Sequence, residues 1–384
     1  MSDNLSELSG RKGIEESLFD KMGKLAMPTG APSVEELDKL AEEFLIGKAN
    51  TFGTSSFYDF LKPENRGKKV YVCNGTACVC AGTQPEVISK LKKTFSADEI
   101  GHMTCLGRCH ENAAFNYSGS NYSGDAINNI DFKAEVTSEL IDDYNVEANG
   151  RQILTKPFTS VDEYYKSFKD ALKKDSADVL NEIKLSNVRG RGGAGFPMGL
   201  KLEFCRNAKG NTKFIICNAD EGDPGAYSDR YLLEKQPHSV LFGMLVSGFV
   251  THAQYGILYI RAEYPESVKI VQDAINELRE AKLIGKNIEG TEFSFDFKII
   301  QAQGSYICGE ETALINSIEG QRPEVRVRPP FPAQKGLFNK PTIVNNVETL
   351  ATVHHILEKG GEHWKNIGTD KSSGTKLISL DSFF

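Results

Sequence analysis

Apolar positions in the first sixty residues recur at helical spacing. Leu37, Leu40, Ala41 and Phe44 make one stripe. Ser33, with Glu36 three residues on, predicts a capping-box start for that helix, and Pro28 and Pro32 break the one before it. A short helix is predicted over 55–61. Residues 68–73 (KKVYVC) then read as a strand by their β-branched and aromatic content. Residues 85–95 (PEVISKLKKTF) read as an amphipathic helix. An apolar stretch follows at 113–117, and a second small strand–helix alternation ends near Tyr144.

Residues 145–157 read as a linker, and 159–185 as a polar-faced helical region. The pattern then predicts strands at 213–217, 256–261 and 295–300. Apolar helical stretches lie between them at 232–255 and 267–281. Such alternation implies a mostly parallel sheet with helices on its faces. The end of the sequence, 376–384, is strand-like with no polar tail and reads as a cut. The expected organisation is a helical segment at 1–66, a small α/β domain at 67–144, a linker at 145–158, a larger α/β domain at 159–370, and the start of a further, truncated domain at 371–384.

Composition narrows the class. Of 384 residues, 40% are hydrophobic and 25% charged, as in globular domains, and the length favours more than one core. A net charge of −7 argues against nucleic acid as main ligand. No run approaches the ~18 apolar residues of a membrane span. No apolar segment follows a basic start, so a cytoplasmic setting without a secretory leader is expected.

Five of the eight cysteines lie between Cys73 and Cys109. Cys73 and Cys78 are spaced C-x4-C; Cys105 and Cys109 are spaced C-x3-C. Two pairs on two loops at strand ends can offer four thiolates to one site. That suits zinc or an iron–sulfur cluster. Zinc knuckles usually use C-x2-C, so the wider spacing favours [2Fe–2S]; buried structural thiols are the third reading. Cys80 is a spare thiol beside the site. Cys205, Cys217 and Cys308 are isolated in apolar surroundings and read as buried structure.

Residues 188–201 (VRGRGGAGFPMGLK) hold five glycines in fourteen positions. Such a loop lets something planar or anionic lie against backbone, and Arg189, Arg191 and Lys201 favour an anion. Gly190 to Gly195 matches G-x-G-x-x-G, but the dinucleotide fingerprint needs a strand before it, and 179–185 looks helical. A flavin or nucleotide cradle of another architecture fits better. Two loops follow strands in the same way: 218–225 (NADEGDPG) and 304–313 (GSYICGEETA). Their acids can accept hydrogen bonds from ligand hydroxyls or a ring N–H, or merely cap helices. Asn345 and Asn346 add adjacent amides, and residues 322–332 form a stiff basic lip.

The stretches GRGGAGFPMGLK, ICNADEGDPGAYSDR, SYICGEETALINSIEG and KPTIVNNVETL resemble the FMN- and NADH-binding subunit of respiratory complex I. The same subunit type serves as diaphorase in soluble NAD-linked hydrogenases and formate dehydrogenases. TSSFYDFL, CNGTAC and CLGRC resemble the thioredoxin-like [2Fe–2S] subunit of those complexes. Both in one chain resemble the fused form of hydrogenase diaphorases or electron-bifurcating hydrogenase beta subunits. The resemblance implies N-terminal helices, a thioredoxin-like [2Fe–2S] domain and a Rossmann-like but non-standard α/β domain binding FMN.

It also implies roles. Gly190, Gly192, Gly193 and Lys201 line FMN, with Arg191 in the same loop. Asn218, Asp220, Glu221, Gly309, Glu310, Glu311, Asn345 and Asn346 complete the pocket. Phe196, Phe204 and Phe331 stack NADH rings, and Arg328 sits near its phosphates. Asp223 replaces the family's usual glutamate, and Met198 a usual threonine. Cys73, Cys78, Cys105 and Cys109 hold the [2Fe–2S] cluster. The family's later [4Fe–4S] motif is missing, so that cluster is expected only in a C-terminal region beyond this sequence.

The implied activity is an NADH dehydrogenase (diaphorase): hydride passes from NAD(H) to FMN and electrons leave singly, with Glu221 ordering the nicotinamide. The implied partners are iron–sulfur and hydrogenase subunits of a multisubunit complex. A formate dehydrogenase beta subunit, a fused respiratory complex I chain, and a non-catalytic NAD- or zinc-binding assembly module are the alternatives.

Overall fold

The computed structural model describes residues 3–133 and 142–380. Part of the second strand–helix alternation (134–141) and the end of the strand-like tail (381–384) lie outside the described residues.

The first sheet has four short strands: β1 (Val70–Cys73), β2 (Ile100–Met103), β3 (Phe115–Tyr117) and β4 (Ser120–Tyr122). Their order is β2-β1-β3-β4. β2 runs parallel to β1, and the other pairs are antiparallel. The predicted amphipathic helix forms as Gln84–Leu91 and sets Val87 and Leu91 against Val70, Val72 and Phe115. By the strand period of two, Tyr71 and Cys73 face the other way, beside Cys78, Met103 and Leu106.

The second sheet is entirely parallel: β5 (Phe214–Ala219), β6 (Tyr255–Ile260), β7 (Asp296–Gln301) and β8 (Thr342–Asn346), ordered β7-β6-β5-β8. Counted along the chain, that is third-second-first-fourth. The winding direction reverses between β5 and β8, and open α/β sheets bind ligands at that switch point, beyond the strands' carboxyl ends.

β5, β6 and β8 are buried on both faces, and β5 and β6 read as near-continuous apolar runs, whereas the edge strand β7 is half-buried. Ile215, Cys217, Leu258 and Ile260 face helices from the chain's second half, and Trp364 joins that core. Phe214, Ile216, Ile257 and Tyr259 face the opposite way, and the N-terminal helices cover them. Leu18, Phe19, Met22, Leu37, Leu40 and Phe44 pack there. The capping box forms: Ser33 Oγ accepts from Glu36 N, and Ser33 N donates to Glu36 Oε2 at 2.7 Å.

Three local expectations fail. Residues 56–61 are not a helix; the preceding helix, Lys48–Ser55, ends where one was predicted to begin. Asp59 N and Phe60 N donate across the fold to Gly304 O and Gln303 O, not to the preceding turn, and Tyr58 is fully buried. The apolar stretch 232–255 is two helices, Ser228–Lys235 and Pro237–Thr251, parted where proline cannot donate. Residues 375–380 form no strand; Leu377 N donates to Glu348 Oε1, and Leu380 O accepts from the Tyr227 hydroxyl.

Candidate flavin and iron–sulfur site

The glycine loop lies between two helices, Ser176–Leu185 and Met198–Asn207, with no strand before it. It closes on itself. Gly190 N donates to Phe196 O, and Met198 N to Val188 O, both at 2.9 Å. Gly193 at φ +109° and Gly195 at φ +62° make the turn that side chains resist. The loop rests on the switch point: a Cβ on Gly192 would meet Asn346 Cβ at 3.1 Å.

Beneath it, Asn218 at the end of β5 pairs in register with Asn346 at the end of β8, and Cys217 with Asn345. Asn218 Nδ2 donates to Gly309 O at 2.8 Å. That bond ties the 304–313 loop to the switch point. Asn346 Nδ2 donates to Asp229 Oδ2 at 2.6 Å. Two buried polar atoms here have no protein partner: Asn345 Nδ2 and Asp220 Oδ2. Such atoms call for a partner outside the protein, a ligand or a water, since leaving them unpaired costs ~1–3 kcal/mol each. Burial pushes the Asp220 carboxyl up to about 8, against the pull of the Arg261 guanidinium.

The other expected residues divide by what their side chains already do. Lys201 Nζ donates to Glu311 Oε2 at 2.9 Å and to Val344 O at 2.6 Å, so it sits over β8. Arg328 reaches Glu311 at 3.1 Å and Glu310 at 3.4 Å. Glu310 caps the helix Glu311–Ile318 by accepting from Thr312 N and Ala313 N. Phe196, Phe204 and Phe331 are about half exposed, at 47, 52 and 54%. Large apolar rings left open to water beside a polar cleft offer a stacking surface.

Glu221 and Arg191 are engaged elsewhere. The Glu221 carboxylate accepts from Asp229 N at 3.0 Å and Arg230 N at 3.1 Å, at the start of helix Ser228–Lys235, and from the Tyr264 hydroxyl at 3.3 Å. Burial raises its pKa, and burial followed by the charges of Glu221 and Glu348 raises that of Asp229. The Arg191 side chain leaves the cradle and donates to Ser373 O at 2.7 Å and Thr375 O at 3.1 Å. Its backbone N–H is held by Thr349 Oγ1 at 2.8 Å.

The four expected cysteines come together where the two sheets meet. Cys73 ends β1, and Cys78 lies in helix Thr76–Ala81. Cys105 and Cys109 follow β2, their sulfurs 3.9 Å apart. Each thiol is perturbed first by a neighbouring sulfur: Cys78 and Cys105 are pulled down, Cys73 and Cys109 pushed up. Among the described residues, no three His, Cys, Asp or Glu side chains close on a single ion. Cys80 is exposed, and Cys205, Cys217 and Cys308 are buried.

Sequence reasoning passed over the residues that join the two halves. Cys105 and Cys109 share a narrow gap with Asp223, Gly225, Arg261 and Tyr264. Gly107 lies against the Tyr264 ring so closely that a Cβ would sit 2.7 Å from it. Arg230 Nη1 donates to Gly107 O at 3.3 Å, and Asn121 Nδ2 to Glu263 O at 2.8 Å. Arg261 donates to Glu221 O and Glu263 Oε1. The cluster of charged and aromatic residues at 261–264, directly after an apolar strand, was the available signal.

Residues 183–355 match the family described as the Nuo51 FMN-binding domain. That span contains the glycine loop, both acid loops and both asparagines. The chain is 46% identical over 226 residues to the NADP-reducing hydrogenase subunit HndC of Solidesulfovibrio fructosivorans, covering 58% of this chain and 46% of that protein. It is 47% identical over 227 residues to an NADH-quinone oxidoreductase subunit of Escherichia coli (strain K12), covering 57% and 51%. It thus spans about half the length of the curated relatives it matches. A chain in the crystal structure of an NAD+-reducing [NiFe]-hydrogenase in the H2-reduced state matches at a TM-score of 0.79 and 28% identity, over 93% of this chain and 63% of that one. The α/β architecture is therefore shared with a chain of that hydrogenase. No helix among the described residues is long and apolar enough to cross a membrane.

Proposed function

We propose that this chain is an NADH dehydrogenase (diaphorase) module that takes a hydride from NADH and passes electrons singly to iron–sulfur centres of a multisubunit redox complex. One observation carries the reading. A bare glycine loop covers the switch point of a doubly wound sheet, and the buried Asp220 Oδ2 and Asn345 Nδ2 beneath it have no protein partner. FMN supplies the chemistry when bound, accepting two electrons together and releasing them one at a time.

The chain's own residues bind, orient and connect. Gly190, Gly192 and Gly193 give the planar ring a floor without side chains. Asn218, Asn345, Asn346 and Asp220 offer amides and a carboxyl to its polar edge and hydroxyls. Gly309 to Glu311 form the opposite wall, and Lys201 neutralises that wall. Phe196, Phe204 and Phe331 hold the nicotinamide nucleotide, with Arg328 at its phosphates and Asp223 at the lip. Glu221 acts by fixing its loop to helix Ser228–Lys235, a positioning role. Cys73, Cys78, Cys105 and Cys109 hold a [2Fe–2S] cluster on a small thioredoxin-like domain beside that loop.

The names of the relatives favour a hydrogenase or a complex I-type assembly as partner; an electron-bifurcating hydrogenase belongs to the first group. The purified chain is expected to carry one FMN and, per chain, two irons with two acid-labile sulfides. Zinc in place of iron, with no flavin, would overturn the reading.

A further inference from the structure

A cavity of about 470 Å³ opens away from the switch point, between the stretch around 151–159, helices Val161–Tyr164 and Lys166–Ala171, and helix Val353–Lys359. It shares no residue with the glycine or acid loops, and its size is that of a small-molecule site. Two polar atoms in its walls are buried without a partner, Ser167 Oγ on one side and His355 Nε2 on the other. His355 is only 8% exposed. Burial, aided by His363, holds its imidazole down to about 4, so the ring is neutral near pH 7 and offers one donor and one acceptor. The neighbouring His354 is already engaged: it stacks on Tyr164 at 3.7 Å, and its Nε2 lies 3.1 Å from Tyr164 O.

The rim is cationic. Arg151, Lys156, Lys166 and Lys174 are exposed and have no ion-pair partner among the described residues. Three acids also face the cavity: Asp170 pairs with Lys173 at 2.8 Å and Glu358 with Lys359 at 3.1 Å, both lysines outside the lining, and Glu163 is the third. The charges of Lys166 and Lys174 also reach Asp170, and that of Lys156 reaches Glu358, so the four rim cations exceed the lining acids by one. Leu154 and Leu357 add apolar wall.

We infer that this cavity is a second ligand site, for a small organic molecule bearing at least two negatively charged oxyanion groups. Ser167 and His355 meet its polar interior end and the rim cations its charges.

Isothermal titration calorimetry of the purified holoprotein with pyrophosphate, ADP and citrate tests this. Saturable binding of any of them is expected, with the flavin spectrum unchanged. ADP and pyrophosphate binding would assign phosphate as the recognised group, and citrate binding carboxylate. Lys156→Glu and Lys166→Glu lie on the exposed rim and leave the core intact. Each should weaken binding by about tenfold or more, as loss of one charge-assisted contact implies. Ser167→Ala should weaken it as well, without changing the salt dependence. No heat with any probe up to about 10 mM, beyond the range of a specific site, overturns the inference. So does binding that both charge reversals leave unaltered.

Discussion

Asp220→Asn probes the switch point most sharply. The Asp220 carboxyl is buried, its Oδ2 has no partner, and burial raises it from 3.8 to about 8. The sign follows from linkage: a carboxyl whose folded pKa lies above its unfolded value contributes stability that is fully present below about pH 4 and is lost as pH rises through about 8. Over that span, at ~1.4 kcal/mol per pH unit, the loss is on the order of 6 kcal/mol in total. Most of it, about 4 kcal/mol, falls between pH 5 and 9. Asparagine cannot ionise. Its amide leaves a buried donor, a cost of ~1–3 kcal/mol that does not vary with pH. Urea unfolding of the flavin-free variant and wild type across pH 5–9 should therefore diverge, the variant gaining relative stability with rising pH. Adding FMN should shrink the divergence, because hydroxyls that donate to the carboxylate favour its charged form. Parallel stability curves over the whole range would refute a buried, unpartnered Asp220.

Phe196→Ala should leave FMN content unchanged and raise KM for NADH several-fold, as loss of one aromatic stacking contact of ~0.5–1.5 kcal/mol implies. Steady-state kinetics with an artificial one-electron acceptor separate this from a loss of kcat. Cys105→Ser should abolish the low-temperature EPR signal of a reduced [2Fe–2S] centre while the flavin absorption remains; a surviving signal of unchanged shape would remove Cys105 from the ligand set. Arg191→Met should lower stability by ~1–3 kcal/mol, because Ser373 O and Thr375 O lose their buried donor, while FMN stays bound. Thermal unfolding and flavin release read the two effects separately.

Much of the large sheet was legible because parallel strands buried on both faces appear as unbroken apolar runs. Phe214 to Cys217 and Gly256 to Ile260 are of that kind. The glycine loop and paired asparagines stood out because their residue types are poor packers, so their concentration needed a reason outside packing. Strand order was not legible. No local pattern says that β8 returns beside β5, although that pairing creates the switch point. The role of the N-terminal helices was hidden too: an amphipathic stripe shows that Leu37, Leu40 and Phe44 are buried, but not that they share a core with Phe214 and Tyr259. Charged residues were hardest. Arg191 and Glu221 lie in the glycine loop and the first acid loop, and their side chains satisfy backbone groups of Ser373, Thr375, Asp229 and Arg230. Only tertiary geometry separates a ligand contact from a cap.

The most direct measurement is an anaerobic titration of the purified chain with NADH, followed in the visible spectrum. The yellow flavin band is expected to bleach fully with about one and a half equivalents of NADH per flavin, each hydride bringing two electrons, of which the flavin takes two and the [2Fe–2S] cluster one. A protein that carries flavin but keeps its full absorption in excess NADH would contradict a diaphorase role.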